Sequence, residues 1–372
     1  MTTIDGKLIG PGQPCFIVAE LSGNHHQKFE EAVVLIHAAA EAGVDAVKLQ
    51  TYTPDTITIK SNKSWFMVGG KDQPALWQKK ILWDLYESAY TPWEWQPELK
   101  KIAEDLGLIL FSTPFDETAV DFLEEMGVPC YKVASYEAIH IPLLKKIAKT
   151  GKPVIVSIGF ASTEEVELAL QTLRNNGAQD IVLLHCVTSY ANKPQLEYMN
   201  LKTITDIKER FGVLSGFSDN NAGIEVPIIA ATIAGALVIE KHLTRNRLEG
   251  GPDARFSLEP QEFKKMVTLI RRIGKEGSVA LQGIVSRQDI EKAMGQVQYG
   301  PASAQEKENM FFRPSLWVKK NIAAGELFTP DNIRVARPSS GLPPGLFDVV
   351  LGRTAALDIE SVTPLTWDLI QK

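Results

Sequence analysis

EAGVDAVKLQ, residues 41–50, joins a helix end, a glycine and a short apolar run. Gly43 supplies the left-handed residue that ends a helix, and the run after it suits a strand buried on both faces. The same junction recurs outward along the chain. It stands at EDLGLILFS (104–112), EEMGVPCYKVAS (124–135), AKTGKPVIVS (148–157), NNGAQDIVLLHC (175–186), ERFGVLSGFS (209–218) and AGALVIEKH (234–242). Seven junctions and a first apolar run at 15–20 predict eight strands alternating with helices. Right-handed crossovers close such a chain most simply into a (β/α)₈ barrel, with a doubly wound open sheet as the alternative. Ser162 and Glu165 form a capping box ahead of a periodic segment reaching Leu173. The opening TIDGKLIG predicts a hairpin around Asp5-Gly6 that caps the bottom of the barrel.

One interval breaks the rhythm. Gly43 and Gly107 lie 64 residues apart, against 20 to 35 elsewhere, and the excess is a Trp- and Tyr-rich segment over 51–95. An insertion after strand two falls on the catalytic rim, where long loops tend to be functional. Beyond the last barrel helix, near 263–274, the chain turns polar and irregular over about 286–309. It then resumes with short β-like runs. The expected division is a catalytic barrel over 1–285, a linker over 286–312 and a small domain over 313–372.

Composition narrows the function. A formal charge of -6 argues against a nucleic-acid partner, and an anionic substrate has to be met by local lysines and arginines. With 44% apolar and 23% charged residues, the chain reads as an ordinary globular enzyme. Cys15, Cys130 and Cys186 are odd in number and widely spaced, which suits unpaired thiols in a reducing compartment. The start has no signal-peptide pattern, and no apolar stretch is long enough to cross a membrane. These features read as a cytoplasmic protein without a membrane partner.

In a barrel the chemistry gathers at the C-terminal ends of the strands. Those ends carry Glu20, Asn24 and His25; Lys48 and Gln50; Ser112 and Thr113; Lys132, Ser135 and Glu137; and Ser157. The later ends carry Thr188 and Tyr190; Ser218, Asp219 and Asn220; and Glu240, Lys241 and His242. Barrel interiors do hold Lys–Glu pairs for packing alone. Two lysines and several hydroxyls at one mouth point instead to a phosphate or carboxylate ligand. Among the other histidines, His25-His26 reads as an exposed loop pair, His37 and His140 as structural or solvated, and His185 as a bonded core residue. His242, beside Glu240, is the one placed to ligate a metal.

At these residues the chain resembles the sialic acid synthase family, and within it the pseudaminic acid synthase branch. The motifs are AELSGNH (19–25), KLQTYTPDT, LWDLYESAYTPWEW, FSTPFD, YKVASYE, GFSD, VIEKHLT and GGPDARFSLEPQEF, with the tail RPSLWVKKNIAAGELFTPDNIRVARPSSGLPP. The tail resembles the SAF (antifreeze-like) domain, which in that family covers the barrel mouth of a partner subunit. The resemblance implies condensation of phosphoenolpyruvate with an amino-sugar aldehyde. For this branch the aldehyde is an altrose-type diacetamido trideoxy hexose, and the product, pseudaminic acid, feeds surface or flagellar glycans. Siblings making N-acetylneuraminate or legionaminate are the alternatives.

Carried over by position, phosphoenolpyruvate is bound by Lys48, Thr113, Lys132, Ser135, Ser157, Thr188 and Ser218. Glu20 and Glu137 are the mouth carboxylates, catalytic together with Lys132 and Arg337. Gln50, Tyr190, Asp253 and Arg337 surround the sugar, Arg337 arriving across a domain-swapped homodimer. The family holds manganese or magnesium on two histidines. His242 keeps one, but Asn220 replaces the other, and its carbonyl oxygen suits a hard cation completed by water. Further departures stand at SIGFA (157–161) and HCVTSYA (185–191). They leave two rivals: a Schiff-base aldolase using Lys48 or Lys132, and a sugar-binding relative weakened by Asn220.

Overall fold

The computed structural model describes residues 1–69, 79–188, 190, 194–277, 281 and 283–371. Strands β1 (Thr2–Ile4) and β2 (Lys7–Ile9) form the expected antiparallel hairpin, turning at Asp5 and Gly6 with φ of 45° and 77°. Ile4 and Ile9 are buried against Phe16 and Val18, so the hairpin seals the lower end of the core.

Eight strands then close a parallel barrel: β3 (Phe16–Glu20), β4 (Ala46–Thr51), β5 (Ile109–Pro114), β6 (Tyr131–Val133), β7 (Val154–Ser157), β8 (Ile181–Val187), β9 (Leu214–Asp219) and β10 (Val238–His242). Strand β10 returns to β3, pairing His242 with Glu20. All seven junction glycines have positive φ, as a helix ending in the left-handed region requires. Gly216 answers a different demand. A Cβ there would lie 2.5 Å from the Val238 carbonyl and 2.6 Å from the Leu184 side chain, so only glycine lets β9 pack between its neighbours. The capping box at Ser162 and Glu165 opens the helix Thr163–Asn175.

The segment expected to be an irregular linker contains two helices, Arg287–Met294 and Ala304–Asn309. Both are pinned to the barrel. Leu201 donates to the Ala293 carbonyl at 3.0 Å, and Thr188 N donates to Glu306 at 2.8 Å. Polar composition misled here, because Glu306 and Asn309 spend their polarity on buried bonds to Thr188 rather than on solvent.

The C-terminal domain pairs β11 (Ser315–Val318) with β12 (Ile333–Ala336) over its own apolar core of Leu316, Ile322, Phe328 and Leu365. It docks on the barrel of its own chain. Trp317, fully buried, packs at 4.7 Å from Phe66, and Arg313 binds Glu165 at 2.8 and 2.9 Å. Among the described residues, no helix is long and apolar enough to cross a membrane.

The histidines depart from expectation in a way that predicts acid sensitivity. His25 is fully buried and bonded to Thr91 at 2.9 Å, and its neighbour His26 is half-buried, so the pair is not an exposed loop feature. His140 caps the helix Ile141–Ala148, and His185 holds the Met199 carbonyl at 2.7 Å, the bonded core role expected of it. Burial pushes His25 and His185 down to about 4 and His140 to about 3. Between pH 6.5 and 4 each of these histidines binds a proton more readily in the unfolded chain than in the folded one, so their contribution to stability falls with acidification across that window. The melting temperature should decline progressively below pH 6.5, and His185→Gln should make the decline shallower. Equal slopes in a pH series of thermal melts would exclude that assignment.

Candidate active site

Side chains alternate along a strand, so every second strand-end residue turns into the barrel mouth. There they line one cavity of about 150 Å³. It collects Glu20, Lys48, Gln50, Thr113, Lys132, Ser135, Ser157, Thr188, Tyr190, Ser218, Asn220, Glu240, His242, Asp253 and Arg337. Glu137 stands at its edge, bound to Arg337. Alternation also sends part of the expected set elsewhere. Ser112 bonds Thr51 at 2.6 Å, Asn24 bonds the Leu243 carbonyl at 2.8 Å, and Asp219 and Lys241 pair with each other at 2.6 Å. These residues, with His25, are buried outside the cavity lining.

The two mouth lysines are held differently. Lys48 contacts Glu20, donates to Thr113 at 3.0 Å, and lies 3.7 Å from Glu240. Burial opposes its charge, but Glu20 and Glu240 outweigh burial and leave its pKa raised. Lys132 donates to Ser157 at 2.7 Å and to the Val133 carbonyl at 3.0 Å, with Glu240 at 3.7 Å. Burial dominates there and Lys48 adds to it, so its pKa is lowered. The lysines thus have carboxylate partners already, and Glu240 bridges them loosely, beyond hydrogen-bond reach of either. Gly159 completes this floor: its N–H donates to Ser135 Oγ at 3.2 Å, an approach that a Cβ at 2.8 Å would block.

Across the mouth, Arg337 donates to Glu137 Oε1 through Nε at 3.0 Å and Nη2 at 2.5 Å, and to the Tyr86 hydroxyl at 3.1 Å. Its guanidinium lies over Tyr136 and Phe115, with 4.7 and 5.2 Å to the ring centroids. Burial raises the Glu137 pKa despite the arginine beside it. Glu137 Oε2 is buried and finds no hydrogen-bond partner among the described residues. Within the single chain, Arg337 lies at the mouth of the chain's own barrel. Its backbone fixes the position, N–H to the Ile57 carbonyl at 2.9 Å and carbonyl to Thr58 Oγ1 at 2.7 Å.

Ser22 organises the third side. Its hydroxyl donates to Glu20 Oε1 at 2.7 Å, accepts from Gln50 at 2.9 Å, and lies 3.2 Å from His242 Nδ1. With its one proton given to Glu20, Ser22 can only accept from His242. That places the imidazole proton on Nδ1 and leaves the Nε2 lone pair for a ligand. Burial and Lys48 push His242 down to about 3, so the ring is neutral. Asn220 keeps its Nδ2 at 3.6 Å from Cys186 Sγ. Burial, with Glu20 nearby, raises Asp253 to about 7.

Several lining residues carried no sequence signal of their own. Cys186 read as a free thiol within the altered HCVTSYA segment, and Phe312 lay in the expected linker. Tyr52, Ile57, Leu85 and Tyr86 come from the long insertion, whose length and aromatic content were the available sign. Residues 70–78 of that insertion, and Ser189 and Ala191 of the altered HCVTSYA segment, lie outside the described residues.

Comparison with known proteins supplies the last observation. The NeuB family model matches residues 35–279, and the SAF domain model matches residues 313–371. A pseudaminic acid synthase of Helicobacter pylori is 38% identical over 97% of this chain and 99% of its own length. An N,N'-diacetyllegionaminic acid synthase of Campylobacter jejuni is 35% identical over 91% of this chain and 95% of its own. The crystal structure of the spore coat polysaccharide biosynthesis protein SpsE of Bacillus subtilis is 34% identical and superposes with a TM-score of 0.83. That alignment covers 100% of this chain and 99% of the other.

Proposed function

The chain belongs to the NeuB family, and from that premise we propose that it condenses phosphoenolpyruvate with the open-chain form of an altrose-type diacetamido trideoxy hexose and water, giving pseudaminic acid and phosphate. The reaction class rests on one observation: Lys48 and Lys132 flank Glu240 at 3.7 Å in the same cavity that Arg337 closes. The branch is favoured by near full-length similarity to a pseudaminic acid synthase. The legionaminate and N-acetylneuraminate synthases are the second reading, supported by the 35% identity to the former.

In this reading Lys48 and Lys132 hold the anionic groups of phosphoenolpyruvate. Thr113, Ser135, Ser157, Thr188 and Ser218 donate around them. Gln50, Tyr190, Asp253 and Arg337 orient the sugar so that its aldehyde carbon faces the methylene carbon of phosphoenolpyruvate. A carbon–carbon bond forms between the two, and the aldehyde oxygen takes up a proton. Water then adds to the former enol carbon, its proton passing to Glu20 or Glu137. The tetrahedral adduct collapses with cleavage of the carbon–oxygen bond to phosphate. Arg337 and the aromatic rings under it keep bulk water from the cationic stage.

Charge favours a cation as cofactor. Three cations, Lys48, Lys132 and Arg337, already face three carboxylates, Glu20, Glu137 and Glu240. Adding an anionic substrate to that buried set needs further positive charge. Among the described residues no three His, Cys, Asp or Glu side chains come together as a metal cage. The Nε2 lone pair of His242 and an amide oxygen from Asn220 nevertheless fit manganese or magnesium, ions content with water and substrate oxygens for the rest. The chemistry such an ion supplies is Lewis-acid polarisation of the aldehyde. Asn220→His should tighten manganese binding at least several-fold by calorimetry, and equal affinities would remove Asn220 from the ligand set.

The deciding experiment measures phosphate release with phosphoenolpyruvate, manganese or magnesium, and each of three amino sugars, with product masses read in parallel. Turnover with the altrose derivative is expected. Preference for another sugar would move the chain to a sibling branch. Sugar binding without turnover under any metal would make it a weakened relative.

A further inference from the structure

Asp219 and Lys241 are both fully buried, at 0% exposure, and neither lines the mouth cavity. Their immediate neighbours Ser218, Asn220, Glu240 and His242 all do. The two residues therefore stand behind the site, directly paired across β9 and β10. Lys241 Nζ donates to Asp219 Oδ2 at 2.6 Å and to the Asn221 carbonyl. Asp219 Oδ1 accepts from the Asn221 backbone N–H at 3.1 Å and from its side chain at 3.0 Å. One ammonium thus ties down both residues flanking Asn220, while its own backbone carries His242.

Stability alone gives a weak account of this pair. Taking two charges fully out of water is costly, and well-packed apolar replacements of a buried pair are often neutral or stabilising. What an ion pair adds is a fixed geometry, here between the ends of the two strands that carry Asn220 and His242. We infer that Asp219 and Lys241 are positioning residues that set the separation of the two donors for a divalent cation. The inference rests on the metal site proposed above, and the pair acts on the ion only through Asn220 and His242.

Removing both charges together avoids leaving one buried and uncompensated, which favours the double variants Asp219→Leu/Lys241→Met and Asp219→Asn/Lys241→Met. The second keeps an oxygen acceptor for the Asn221 N–H, so the turn survives without the ion pair. Each should fold with a circular dichroism spectrum like the parent's and bind phosphoenolpyruvate without metal within about two-fold of it. Manganese affinity, measured by calorimetry, should fall by about ten-fold or more, the range seen when groups behind metal ligands are removed. A folded double variant with parental manganese affinity would overturn the inference while leaving the metal site intact. Failure of both variants to fold would make the pair structural and overturn it as well. A parent that binds no manganese would take down the metal reading and this inference together.

Discussion

Lys132→Met should lower kcat/KM for phosphoenolpyruvate about a thousand-fold, with weaker phosphoenolpyruvate binding by calorimetry. Lys132 is buried, bonded to Ser157 at 2.7 Å, and its pKa is already lowered by burial. An anion that meets it leaves water to do so, and losing one partner of a desolvated charge pair costs about 2–5 kcal/mol. At about 1.4 kcal/mol per decade, that amounts to one to three decades or more. Methionine preserves most of the apolar stem, so the loss reports charge rather than packing. A fall of less than ten-fold would remove Lys132 from the phosphoenolpyruvate site. The same residue tests the aldolase rival, because a lysine with a lowered pKa is also what a Schiff base needs. Borohydride trapping of pyruvate on Lys132 would favour the aldolase, whereas stoichiometric phosphate release excludes it.

The barrel was legible because its signals are local. Each junction glycine ends a helix by its own backbone preference, and each apolar run after it is buried whichever neighbour it meets. The polar strand ends were legible for the same reason, since topology alone sends them to one rim. Which of them enter the cavity was harder. Asp219 and Asn220 are adjacent letters, yet one is held by Lys241 behind the sheet and the other lines the mouth. Strand-end side chains sort by register, and register is set by pairing partners far away in the chain. The C-terminal half was harder still. Glu306 and Asn309 look like solvent-facing residues, and only the position of Thr188 shows that they are anchors. His25 misled in the same direction, because its partner Thr91 lies 66 residues away in the chain.

The second large effect concerns the lid. Arg337→Ala strips Glu137 of both its charge-assisted bonds and leaves a buried carboxylate beside an aromatic wall. Losing a desolvated charged contact to the bound sugar costs about 2–5 kcal/mol, and kcat/KM for the sugar should fall about a hundred- to a thousand-fold. Lys132→Met and Arg337→Ala then form a pair of inactive chains with different lesions, one in the barrel and one in the lid. If lids were exchanged in a homodimer, the barrel of the Arg337→Ala chain would receive an intact arginine from its Lys132→Met partner, and mixing with subunit exchange would restore activity. With Arg337 bound to Glu137 of its own chain, each mixed assembly has a damaged barrel under an intact lid and an intact barrel under a damaged one. No restoration is expected. In the single chain the Ile57 and Thr58 bonds to the Arg337 backbone seat the arginine on the insertion of the same barrel. Recovery of activity on mixing, against controls of each variant alone, would show that the lid is exchanged in solution and that closure within the chain is not the working state.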